Sequence, residues 1–295
     1  MRSNTAIVNN PSPGLGKSIL SSIAKTGKNY WNNKFLVLLF LPAIVFFLVF
    51  SYAPMYGIII AFKDYKFLQG IIGSPWAPNH GFGHFLTMLQ GLTFPQVFMN
   101  TVTLSFYKLI FGFPAPIIFA LLLNEVRAAR YKKVIQTVSY LPHFIGWVIL
   151  AGIIKQFLSP SIGPIGAIMD SLGITPINFL AEPSCIRGVL VSTSIWKDLG
   201  WNTIIYLATL AGIDTEIYEA AVIDGASRLQ CIIRITIPSL RYVIAFLFTM
   251  SIGSIISDDF DQIYNLTMNT PSVLGVADVI STYTYRQGIV NMDYS

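Results

Sequence analysis

The stretch EAAVIDGASRLQCIIRITIPSL, residues 219–240, lies between two of the most apolar segments of the chain. It is dense in charge and carries a DG pair and a proline. Asp214, just before it, is a favourable N-cap, and TEIYEAAVI (215–223) reads as a short helix behind that cap. Ile217, Ala220, Ala221 and Ile223 give this helix a partly apolar face. Asp224-Gly225 breaks it, ASRLQCIIRIT (226–236) resumes as a second helical segment, and Pro238 marks the start of the next apolar run. A connection that only joins two helices needs a few residues. Two short helices around a glycine elbow form a docking surface instead. Little ordering entropy is lost on binding, and glycine admits close approach of a partner's backbone.

The chain around this stretch is 295 residues long, 54% hydrophobic and 11% charged. A soluble domain carries about a quarter charged residues, so this composition, with a mean hydropathy of +0.62, places the chain in a membrane. The net charge of +5 fits basic cytoplasmic loops rather than a nucleic-acid footprint. Cys185 and Cys231 form no cluster with His80, His84 or His143, which excludes a zinc site or a disulfide framework. GLGKS (14–18) ends like a phosphate-binding loop. Pro11 stands where the first glycine is required, and no strand precedes it, so nucleotide binding is excluded.

About 20 apolar residues cross a bilayer as a helix. Five stretches qualify, at about 35–62, 100–123, 134–158, 188–210 and 239–257. Pro42, Pro54, Pro114, Pro116 and Pro142 inside them are tolerated because neighbouring helices and water satisfy the freed carbonyls. The fold class is therefore all-α, a polytopic membrane protein with a transmembrane domain over 35–295. Residues 1–34 hold five basic residues and no acid, and read as a flexible basic tail. The loop 124–133 has four basic residues, and 211–241 holds Arg228, Arg234 and Arg241. The alternate loops are poor in Lys and Arg, so the N-terminal tail and these two loops are expected on the cytoplasmic side of the membrane. Cys185 then lies outside and Cys231 inside, and they do not pair. Residues 159–174 read equally as a short helix on the outer surface or as an ordinary loop.

Glu219-Ala220-Ala221, Gly225 three residues on, and Ile235-Thr236-Ile237-Pro238 after nine more resemble the EAA loop of the permease subunits of ATP-binding-cassette importers, with Ile237 in place of the usual leucine. SYAPMYGIIIAFKDY (51–65), GSPW (73–76), FPAPIIFALLLNEV (113–126) and SYLPHFIGWVI (139–149) are similar to one branch of sugar permeases, that of LplB and YteP, associated with complex and uronate-containing oligosaccharides. The resemblance covers about residues 30–295. It implies the MetI-like fold of type I importers and alternating access driven by a separate ATPase. The chain itself is then no enzyme and holds no cofactor, ATP being bound by the partner. The implied partners are a second permease in a heterodimer, two cytoplasmic ATPase subunits and an extracytoplasmic solute-binding protein. By the same resemblance the coupling loop 211–238 acts through Glu219, Ala220, Ala221, Asp224, Gly225, Ile235 and Pro238, with Glu219 as the salt-bridging residue. ADVISTYTYRQGIVNMDYS (277–295) matches the segment that precedes a sixth span in this branch. That span is missing here, and truncation of the sequence is the expectation.

Charges inside spans face a cavity or a partner helix. Lys108 lies in the second expected span, and Lys197 and Asp198 lie mid-way along the fourth, beside Trp196, Trp201 and Asn202. An aromatic face next to hydrogen-bonding groups suits a sugar. Lys108, Lys197, Asp198, Trp201 and Asn202 are the candidate substrate path, with the lysines offsetting the charge of an acidic saccharide. The same residues fit a second reading, in which Lys197 and Asp198 pair with other helices and the tryptophans anchor at an interface. SDDFDQIYNLTMNTP (257–271) reads as a solvated outer face against the binding protein, its spacing not fitting a calcium loop. Two alternatives stay open: an ion-coupled secondary transporter, disfavoured because Asp198 is the one carboxylate well inside a span, and an inactive truncated permease.

Overall fold

The computed structural model describes residues 34–268 and 270–294. The GLGKS stretch and all of the basic tail except Lys34 lie outside the described residues. Among the described residues the chain is helical, apart from an isolated antiparallel bridge between Lys63 and Trp76. It divides into two compact units, the chain passing from one to the other between His84 and Phe85.

In the first unit, α1 is one continuous run, Lys34–Phe62. Most of its described side chains up to Ile58 are exposed, Phe35 by 73% and Leu39 by 76%, and residues 59–62 are half-buried. Such a surface needs lipid or another apolar partner. Beyond it, Lys63 is buried. Its Nζ donates to the Ile72 carbonyl at 2.8 Å and sits 5.4 Å from the Trp76 ring centroid.

The second unit contains α2 (Thr93–Glu125) and a pair, α3 (Ala129–Phe144) and α4 (Trp147–Phe157). Then come α5 (Pro164–Ser171), α6 (Pro183–Ala211), α7 (Thr215–Ile223), α8 (Arg228–Gly253) and α9 (Phe260–Thr267). Short helical turns at Pro271–Val273 and Leu274–Ala277 lead to α10, Ile280–Tyr285.

Three described helices, α1, α2 and α8, are long and apolar enough to cross a membrane, and the α3–α4 pair makes a fourth if it is one span. The stretch expected as a continuous third span, 134–158, is bent by 106°. Pro142 tightens the chain into a 3₁₀ turn, and Ile145 and Gly146 are extended, so the helix cannot run through. α6 covers the fourth expected span in a single 29-residue helix carrying Arg187, Lys197 and Asp198. The second segment of the elbow is not a separate helix. It is the first part of α8, which starts at Arg228 and not near 239.

Each of the three long helices holds a π-helical turn just ahead of a proline: Leu48–Tyr52 before Pro54, Lys108–Gly112 before Pro114, and Ile232–Thr236 before Pro238. Proline lacks the N–H that would serve the carbonyl four residues back. The widened turn absorbs this mismatch with one extra residue.

Two cores lie on either side of the middle of α6. Ile186, Leu190 and Val191 pack with Trp147, Leu150 and Ile154 of α4 and with Ile263 and Leu266 of α9. Tyr206 and Leu210 pack with Ala120 of α2 and Leu240 of α8. The acidic segment expected as a solvated face is therefore partly interior. Asp261 is exposed, but Gln262, Ile263 and Leu266 are fully buried, because α9 is amphipathic and lays its apolar side on α4 and α6.

Candidate functional site

Two sites carry the polar chemistry. The first is the elbow. Asp214 caps α7, accepting from the Glu216 N–H at 3.0 Å. At the other end, Gly225 has φ +82°. Its N–H donates to the Val222 carbonyl at 3.0 Å, and the Ala226 N–H donates to the Ala221 carbonyl at 2.9 Å. This is a Schellman closure, in which glycine takes the left-handed position. A Cβ on Gly225 would meet no atom within 4 Å, so the space beside it is open. Ser227 and Gln230 then form a reciprocal capping box that starts α8. The Tyr218 hydroxyl meets the Thr236 hydroxyl at 3.0 Å, fastening α7 to the π turn of α8. Glu219, Ala220, Asp224, Gly225 and Pro238 are exposed, and Ala221 and Ile235 are half-buried. Val222, Ile223 and Leu229 add apolar side chains between 64% and 86% exposed.

The second site is a cleft of about 460 Å³ where the two cores part, walled by α2, α6 and α8. Lys108, Asp198, Trp201 and Asn202 line it. Lys197 is turned away from it, because successive helical residues point about 100° apart and the wall is taken by Asp198. The Lys197 side chain is buried, donating to the His143 carbonyl at 2.8 Å and lying 5.5 Å from the Trp147 ring centroid. For this residue the geometry matches pairing with another helix.

Lys108 is held in place at the cleft. Its Nζ donates to Gln262 Oε1 at 2.6 Å. The Gln262 amide nitrogen donates in turn to the Leu190 carbonyl at 2.6 Å and the Thr193 hydroxyl at 3.0 Å. With both N–H groups engaged, the amide oxygen can face only the lysine. Asp259 caps α9 and accepts from Trp147 Nε1 at 2.6 Å, anchoring the same helix. Ser194, Ser251 and Ser254 contribute hydroxyls to the wall. The sequence reading passed over these serines and Gln262. The three-residue step from Ser251 to Ser254 in an apolar helix was the available signal, since it places both on one face. The wall thus offers an indole face, hydroxyls, an amide, one cation and one carboxylate, a set that suits a ligand with hydroxyls and flat apolar faces. Among the described residues no group of His, Cys, Asp and Glu could hold a metal ion.

A long-helix membrane fold with an internal polar cleft and an exposed helical elbow defines a membrane permease. The family model of binding-protein-dependent transport system inner membrane components matches residues 112–288, and the chain belongs to that family, as the permease component of an ABC transporter. It is 42% identical over 263 residues to protein LplB of Bacillus subtilis, covering 89% of this chain and 81% of the relative. It is 40% identical over 262 residues to the polygalacturonan/rhamnogalacturonan transport system permease protein YteP of Bacillus subtilis, covering 89% and 80%. A crystal structure of a bacterial ABC transporter involved in import of the acidic polysaccharide alginate superposes with a TM-score of 0.82 at 40% identity, over 92% of this chain and 89% of that one. The alginate transporter in complex with its alginate pentasaccharide-bound periplasmic protein superposes with a TM-score of 0.81, over 90% and 87%.

Proposed function

We infer that this chain forms part of the translocation path of an ATP-driven importer for oligosaccharides, uronate-containing ones among them. It works with a second permease subunit, two cytoplasmic ATPase subunits and an extracytoplasmic solute-binding protein. The observation that carries the reading is the cleft, which sets Trp201, Asn202 and Lys108 around one space of about 460 Å³. The indole covers an apolar sugar face, the amide and hydroxyls meet ring hydroxyls, and the ammonium meets a uronate carboxylate. The acidic substrates named for YteP and for the alginate transporter support this choice of class.

Coupling runs through the elbow. Glu219, Ala220, Ala221, Asp224 and Gly225 dock on the ATPase from the cytoplasmic side. Ile235 and Pro238 sit where α8 turns toward the membrane. ATP-driven closure of the motor pushes α7, and the Tyr218–Thr236 contact passes the displacement to α8, one wall of the cleft. Alternating access follows as that wall moves.

The test is uptake of labelled oligogalacturonides and oligoalginates in cells lacking the chain and in cells with it restored. Uptake of at least one acidic oligosaccharide is expected to disappear with the chain and return with it. Unchanged uptake of all of them overturns the substrate class. Failure of the affinity-tagged chain to bring down an ATPase subunit overturns the coupling.

A further inference from the structure

The corner between α3 and α4 is docked on one turn of α6, and that turn also faces the cleft. Gly200 sits under the corner, where a Cβ would lie 2.3 Å from the Ser139 carbonyl oxygen, so backbone rests on backbone. Lys197 holds the His143 carbonyl from the same turn. The His143 ring does not line the cleft, yet it touches two residues that do. Its Nδ1 donates to Asp198 Oδ1 at 2.8 Å; a carboxylate only accepts, so Nδ1 carries the proton. Its imidazole stacks on the Trp201 indole, with centroids 4.5 Å apart and planes 5° from parallel. The Phe144 ring closes the arrangement edge-on against Trp201, at 5.7 Å and 85°. One indole face is thereby occupied and only the other remains for the cleft. One carboxylate oxygen is likewise committed before any ligand arrives.

We propose that His143 is a positioning residue: without touching the saccharide, it fixes the ring plane of Trp201 and the carboxylate of Asp198, and so sets the affinity of the cleft. The proposal rests on the reading of the cleft as the sugar path. Groups held in their bound geometry lose little freedom on binding. Freed of His143, the indole and the carboxylate regain alternative rotamers, and the ligand must order them.

The test uses the purified transporter in lipid nanodiscs, without solute-binding protein. Tetragalacturonate binding is measured by calorimetric titration, and ligand-free Trp201 emission is taken as the difference between each protein and its Trp201→Phe counterpart. His143→Ala is expected to raise Kd about tenfold, the loss of one stacking contact and one charge-assisted hydrogen bond, and to shift the Trp201 emission before ligand is added. His143→Asn keeps an N–H for Asp198, His143→Phe keeps the stacked ring, and each is expected to recover part of the loss. These two variants carry the test if His143→Ala does not assemble. A Kd within twofold of wild type in the variants that assemble overturns the proposal, whether or not the emission moves. Wild-type transporter that binds no tetragalacturonate while Trp201→Phe behaves identically overturns the sugar-path reading and this inference with it. Binding that depends on Trp201 but is indifferent to His143 overturns the inference alone.

Discussion

Gly225 does two things at once, and a substitution can separate them. Its φ of +82° closes α7, which costs an ordinary side chain about 1 kcal/mol or more. Asp and Asn tolerate that conformation better than other residues. Gly225→Asp is therefore expected to leave chain abundance and membrane insertion at wild-type levels while abolishing uptake, because the new side chain stands in open space a docking partner would fill. Quantitative membrane blotting beside an uptake assay checks both halves; loss of the chain itself would place the effect in its backbone. The two lysines give a second contrast. Lys108→Met is expected to cut uptake of uronate-bearing oligosaccharides at least tenfold relative to neutral ones. Lys197→Met is expected to keep that selectivity and to destabilise the fold by about 1–2 kcal/mol through loss of its bond to the His143 carbonyl, read as a lower Tm. The sequence placed both lysines inside spans, but nothing in it said which one faced a cavity. That depends on the rotation of α6 about its axis, which packing sets. His143 reads from sequence as a packed or capping histidine, and its particular partners were not legible because they lie 55 and 58 positions along the chain.

At the level of elements, the corner on α6 and the segment after α9 are each held by few, specific contacts. Gly200→Val is expected to prevent accumulation of folded chain, and Gly200→Ala to cost about 1–3 kcal/mol, because the corner backbone must retreat from a Cβ. Thermal unfolding of the solubilised protein measures this. The segment 274–285 is tied back by Arg187, which donates to the Val276 carbonyl at 2.9 Å and to Asn100 Oδ1 at 2.8 Å. Asn100 Nδ2 reaches the Gly275 carbonyl at 3.1 Å, and Asp278 pairs with Arg286. Arg187→Leu leaves Asn100 Oδ1 without its donor, so faster amide exchange is expected in 274–285 with α2 and α4 unchanged. Most of the helices could be read from sequence, since hydropathy and capping residues are local signals: Asp214 and the Asp224-Gly225 break lie where the helix ends are. The sharp bend at 142–146 was not legible. Pro142 is compatible with either a kink or a break, and the docking of Ser139 on Gly200 decides between them.

At the scale of the whole molecule, the outward-facing apolar side chains of α1 and the exposed elbow are surfaces awaiting company of different kinds. Val222, Ile223 and Leu229 stand in water on the reading given above, next to Glu219. Amide exchange in α7 and at the start of α8 is therefore expected to slow when the chain is assembled with its ATPase, and Glu219→Lys to reverse that protection. Equal exchange in the free and assembled chain would remove the elbow from the interface. The membrane class and the elbow were legible because composition and a long spaced motif are properties of the chain alone. The cleft was only partly legible, since it takes side chains from three helices that meet late in the chain order. Each α-helical residue advances the chain by about 100° around the axis. The surplus residue in the turn at Lys108–Gly112 therefore resets the angular index of α2 part-way along. Ser105 ahead of that turn, Lys108 and Gly112 within it and Pro116 beyond it all line the cleft. Deleting a single residue there would remove the slack that the wide turn gives Pro114, whose ring would then meet the carbonyl four residues back, so the half of the rod carrying Ser105 would tilt away from the half carrying Pro116.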